Sequence, residues 1–108
     1  MKDFITYDIE SELKQHDVYQ KGKNELSDFK WRMGDSDSQG KYVSGRDHNG
    51  VTLKLWLETN TFIAMSVCFT DVWEDCNDRE AKKENLIDLI EKKFISSIGV
   101  NIKKSEAD

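Results

Sequence analysis

The sequence predicts a single α+β domain: an N-terminal helix, an antiparallel four-stranded meander, and a long C-terminal helix packed on the sheet. Three observations carry this reading. Alternation of period two runs through the middle of the chain, a helical period follows near its end, and no proline occurs among the 108 residues. That length fits one domain, 1–108, with residues 103–108 expected as a frayed tail. With 37% hydrophobic residues, three Trp, three Tyr and five Phe, the chain is too rich in aromatics to stay disordered.

At the N-terminus, Ile5, Ile9 and Leu13 recur at spacings of four, with Asp3 available as a cap, and this predicts a helix within residues 3–20. The competing pattern is the alternation of Ile5, Tyr7 and Ile9, which suits a strand. "QKGKNE" reads as a loop that ends the helical pattern. From Ser27 the period becomes two, with Phe29, Trp31 and Met33 alternating against Asp28, Lys30 and Arg32. "KYVSGR" is a weak strand because of its glycine. Val51, Leu53, Leu55 and Leu57 make the clearest strand in the chain, and "TFIAMSVCF" follows it.

The register of this last pair follows from the side chains. A three-residue connection, Thr59 to Thr61, sets Leu55 against Met65 and Leu53 against Val67, so that one face is apolar throughout. It also places Trp56 on the opposite face beside Ala64 and Ser66, where either the predicted N-terminal helix covers it or the patch is exposed and marks a partner site. The Asn49-Gly50 turn leaves two pairings open, Val43 or Tyr42 against Trp56. The final helix is expected from about Asp78 to Ile98, capped by Asn77 with Glu80 and stopped by Gly99, with "VNIKKSEAD" as a short strand and charged end.

Composition narrows the chemistry. A formal charge of −5 argues against gripping nucleic acid or an anionic membrane, which requires concentrated Lys and Arg. No apolar run approaches the roughly 20 residues of a membrane span, and the first residues lack a secretory pattern. A cytoplasmic protein with free thiols at Cys68 and Cys76 is therefore expected. Asp35, Asp37, Gln39 and Gly40 mimic the start of a calcium loop. Its closing position, however, is Arg46, a cation where a bidentate carboxylate belongs, so the stretch reads as a turn. No zinc-ligand spacing, nucleophile and base pair, or phosphate loop is present, so neither a metal, a cofactor nor an enzymatic activity is expected.

The acid is localised instead. Between Asp71 and Glu80 five acids face one Arg79, a local net charge of −4. Trp73 stands among them. The plain reading is a helix start whose acids favour the dipole; the functional reading is an aromatic anchor ringed by carboxylates, fit for a basic partner. The expected partner-binding residues are Asp71, Trp73, Glu74, Asp75, Asp78 and Trp56. The expected function is a small acidic protein-binding inhibitor, immunity-protein or antitoxin-like, occluding a basic protein such as a toxin nuclease, without direct contact to nucleic acid or membrane. Two alternatives stand beside it: a small-ligand domain or enzyme with a pocket near Trp31 or Trp56, and a chaperone or assembly subunit.

Overall fold

A computed structural model describes all residues except Asp37, Gln39, Glu58 and Asp108. In chain order the elements are β1 (Phe4–Glu10), α1 (Gln15–Glu25), β2 (Lys30–Ser36), β3 (Gly40–Arg46), β4 (Thr52–Leu57) and β5 (Phe62–Cys68). Helix α2 (Arg79–Leu89) then runs through a π-helical segment (Ile90–Ile95) into a last turn, α3 (Ser96–Ile98), and β6 (Val100–Ala107) ends the fold. The six strands form one antiparallel sheet in the order β2-β3-β4-β5-β1-β6. The single α+β domain is thus as predicted, but the four-stranded meander is the β2 to β5 part of a larger sheet.

The N-terminal helix expected over residues 3–20 is corrected to a strand and a later helix. Ile5, Tyr7 and Ile9 are fully buried on one face of β1, between Val67, Met65 and Ile63 of β5 and the strand β6. The spacing of four that suggested a helix also satisfies a period of two, and Tyr7 decides between them. The expected loop "QKGKNE" lies inside α1, where buried Gly22 lets the Trp31 indole lie against the helix backbone. Asp3 caps no helix; it pairs with Arg79 and Lys83 instead.

The hairpin registers follow apolar matching. Leu53 pairs with Val67 and Leu55 with Met65, as the three-residue connection requires. At the Asn49-Gly50 turn the structure takes the alternative with Tyr42 against Trp56 and Gly45 against Leu53. The Asp47 carboxylate accepts hydrogen bonds from the backbone N–H groups of Asn49 (3.0 Å) and Val51 (2.9 Å), and Gly50 supplies φ 96°.

Both helices cover the same face of the sheet. Ile87, Ile90, Phe94, Ile95 and Ile98 are buried there with Leu53, Leu55, Ile63, Met65 and Val67. The π-helical segment turns Ile90, Phe94 and Ile95 inward together and aims Glu91 at β1, where Tyr7 Oη donates to its carboxylate at 2.7 Å. Burial, then Glu91, push the Tyr7 phenol far above its usual range and keep it a donor. Lys104 of β6 meets the same Glu91 at 2.8 Å.

The predicted Asn77–Glu80 capping box does not form. The capping position falls at Asp78, without a side-chain hydrogen bond, because the Glu80 carboxylate is held by Lys83 and the Met1 amino group. Gly99 does end the helix, but in extended backbone: a side chain there would run into the Glu10 carbonyl. The segment expected to fray pairs with β1 as far as Ala107, because β1 is a strand with a free edge to offer. Of the two readings of the Trp56 face the structure takes the open one: among the described residues no helix covers it, since α1 and α2 lie on the other side.

Candidate functional site

The strand β5 ends at Cys68, and the chain crosses to α2 through a short connection built on a series of tight turns. Val72 N–H donates to the Phe69 carbonyl at 2.9 Å and Cys76 N–H to the Trp73 carbonyl at 3.0 Å. Two residues here take left-handed backbone without being glycine, Asp71 at φ 64° and Trp73 at φ 55°. Asp tolerates this conformation; a bulky aromatic rarely adopts it, and only when its surroundings hold it there.

Arg79 supplies much of that hold. Its guanidinium donates to the Val72 carbonyl (2.8 Å), the Phe69 carbonyl (2.9 Å) and the Asp3 carboxylate (2.9 Å). Lys83, only 1% exposed, adds bonds from Nζ to the Met1 carbonyl at 2.7 Å and to Asp3 Oδ1 at 2.9 Å. The hydrogen bonds from Arg79, then those from Lys83, hold the Asp3 carboxyl down to about 2. This clasp has a consequence for the acidic stretch. Its one base, Arg79, is turned inward, so Asp71, Glu74, Asp75 and Asp78 stay exposed, and none of them enters an ion pair among the described residues.

Trp73 itself is half-buried. Its ring lies against Phe69, centroids 6.1 Å apart, and the Lys82 ammonium sits 5.7 Å from its centroid. Beside it runs a groove of about 320 Å³. Leu86 and Leu89 of α2 line it with Trp73, and the walls come from residues 25–29 and from Asp47, His48 and Asn49 of the β3 to β4 turn. Leu89 is 40% exposed in the groove.

Four of the expected acids and Trp73 therefore share one surface, at the end of the molecule where β5 meets α2. Trp56 does not join them. It lies on the open face of the sheet, with Tyr42 at a centroid distance of 5.5 Å and the Lys54 ammonium 4.4 Å from its own centroid. Sequence reasoning missed the groove-forming Leu86, Leu89 and His48. A signal existed for the leucines: an apolar stripe that includes Leu86, Ile87, Leu89 and Ile90 is too wide for one helix face.

A wider depression of about 670 Å³ lies at the other end of β5, between residues 10–13, Thr61, Phe62 and residues 96–100. Among the described residues, no group of three or more His, Cys, Asp or Glu is placed to hold a metal ion. Among the same residues, no helix is long and apolar enough to cross a membrane. No protein-family model matches this sequence, and no curated protein resembles it significantly.

Proposed function

We propose that this chain is a small protein-binding inhibitor that uses the Trp73 groove and its acidic collar to occlude a basic protein, as an immunity protein or antitoxin-like inhibitor occludes a toxin nuclease. One observation carries the reading. An aromatic ring in strained backbone borders a groove floored by Leu86 and Leu89, while the four carboxylates of the same connection are left exposed and, among the described residues, without ion pairs. Strain of this kind costs about 1 to 3 kcal/mol, and it persists where function uses the geometry it enforces.

The chemistry suits a partner arginine. Its guanidinium can stack on the indole and pair with a carboxylate, and a buried tryptophan contact is a common binding hot spot. The exposed acids steer such a partner toward the site and raise the association rate. No catalytic step is assigned to the chain. A pocket between sheet and helices is less well supported, because the space by Trp31 is filled: its ring lies 5.3 Å from that of Phe94, and Gly22 and Gly45 sit beneath it. A cytoplasmic setting belongs to the same proposal, since Cys68 and Cys76 are both free.

The test is affinity capture from the native source with the full chain as bait. The wild-type bait is expected to retain a basic protein at low salt and release it at high salt. Reversal of Asp71, Glu74, Asp75 and Asp78 to Lys is expected to abolish capture. Trp73→Ala is expected to weaken the complex by about 2 kcal/mol, roughly thirtyfold. Equal retention by the reversed bait would overturn the proposal.

A further inference from the structure

The sheet sorts charges that the sequence total conceals. Its open face is made of cross-strand rows. One row runs Arg32, Ser44, Lys54, Ser66 and Thr6, and the next runs Gly34, Tyr42, Trp56, Ala64 and Asp8. From their open-face positions β2, β3 and β4 contribute four bases, Lys30, Arg32, Arg46 and Lys54, and no acid. All four bases are exposed, and none has an ion-pair partner among the described residues. A basic patch thus stands on a protein of net charge −5.

Aromatic rings lie within the patch. Tyr42 rests over Gly34, where a side chain would collide with the phenol, and its ring meets Trp56 edge-on at 5.5 Å. The Lys54 ammonium lies 4.4 Å from the Trp56 centroid and 5.1 Å from that of Tyr42. Both rings are half-exposed, and among the described residues no helix lies above them. Neighbouring strands stand about 4.8 Å apart and same-face residues about 7 Å apart along a strand, so Arg32 and Lys54 stand one step from the row of rings, at roughly 7 to 12 Å, and Lys30 and Arg46 two steps, at roughly 14 to 17 Å, all on the same side of it.

We propose that this face, centred on Tyr42, Lys54 and Trp56, binds single-stranded nucleic acid, with bases stacking on the two rings and phosphates meeting Lys30, Arg32, Arg46 and Lys54. Position in the sheet favours this occupant over an acidic peptide. The rings stand on β3 and β4, which both have neighbours on either side, so no main-chain groups are free there for an added strand. Recognition must come from side chains, and every base offers a π face and an adjoining phosphate. A duplex hides its bases from such stacking, whereas a sheet with exposed aromatics receives unpaired ones. The face is separate from the Trp73 groove, which lies on the helix side, so the two proposals stand or fall independently.

Fluorescence anisotropy of labelled oligothymidylate and oligouridylate, titrated with the full chain, tests the assignment. Binding is expected at about 50 mM salt, falling with a log–log slope near −2 if about three phosphates are neutralised. Trp56→Leu is expected to lower affinity about tenfold with the slope unchanged. The Arg32→Glu, Lys54→Glu double variant is expected to flatten the slope by more than half, and Trp73→Ala to bind as wild type, all three retaining the wild-type circular dichroism. Absence of binding, or full affinity in Trp56→Leu, would overturn the proposal. So would equal competition by polyglutamate of matched charge, which would assign the face to an acidic protein.

Discussion

Gly22 shows how far a residue's role departs from its local pattern. On helix propensity alone, alanine in a helix interior is better than glycine by about 1 kcal/mol. Here a Cβ would fall 2.6 to 2.7 Å from three atoms of the Trp31 indole, whose Nε1 donates to the Leu26 carbonyl at 3.0 Å and whose ring meets Phe94. The indole has little room to yield, so Gly22→Ala is expected to destabilise by about 1 to 3 kcal/mol, read as a lower urea midpoint at unchanged slope. A raised midpoint would mean that the ring moves aside. Gly22 resembles a helix breaker in the sequence because the ring that requires it comes nine residues later. Trp73 was legible as a candidate, but its left-handed backbone was not, since Arg79 and Phe69 impose it from outside the local pattern.

The elements differ in how openly the sequence declares them. Strands β4 and β5 were legible down to their register, because only one pairing aligns Leu53 and Leu55 with Val67 and Met65. The first strand was ambiguous by arithmetic: a spacing of four serves both periods. Once β1 is a strand, β6 has an edge to join, so one misreading concealed two strands. Tyr7 then bridges layers that local patterns cannot connect, from β1 to the π-helical segment. Tyr7→Phe removes a hydrogen bond to a charged acceptor and is expected to cost about 1.5 kcal/mol in denaturant unfolding. No loss would show that Glu91 is satisfied by Lys104 alone. The clasp on α2 gives a pH signature. Asp3 is held down to about 2 from an ordinary value of 3.8, so its stabilising contribution is complete above that ordinary value and is lost as pH falls through the folded one. Asp3→Asn is expected to lower stability at neutral pH and to flatten the decline between about pH 4 and pH 2. A decline of unchanged steepness would place the acid sensitivity elsewhere.

Across the whole molecule the two faces of the sheet carry opposite characters. The helix side ends in the Trp73 groove with its carboxylates, and the open side presents Tyr42, Trp56 and the bases of β2 to β4. A net charge of −5 averages over both, which is why the sequence suggested the acidic surface and concealed the basic one. Docking of a basic protein at the Trp73 groove, as proposed, is read out by hydrogen–deuterium exchange of the full chain with and without its captured partner. Protection is predicted in residues 71–78, along the groove side of α2 at residues 82–89, and in the turn at residues 47–50. Protection confined to the open-face strands β2 to β4, with residues 71–89 unchanged, would contradict it.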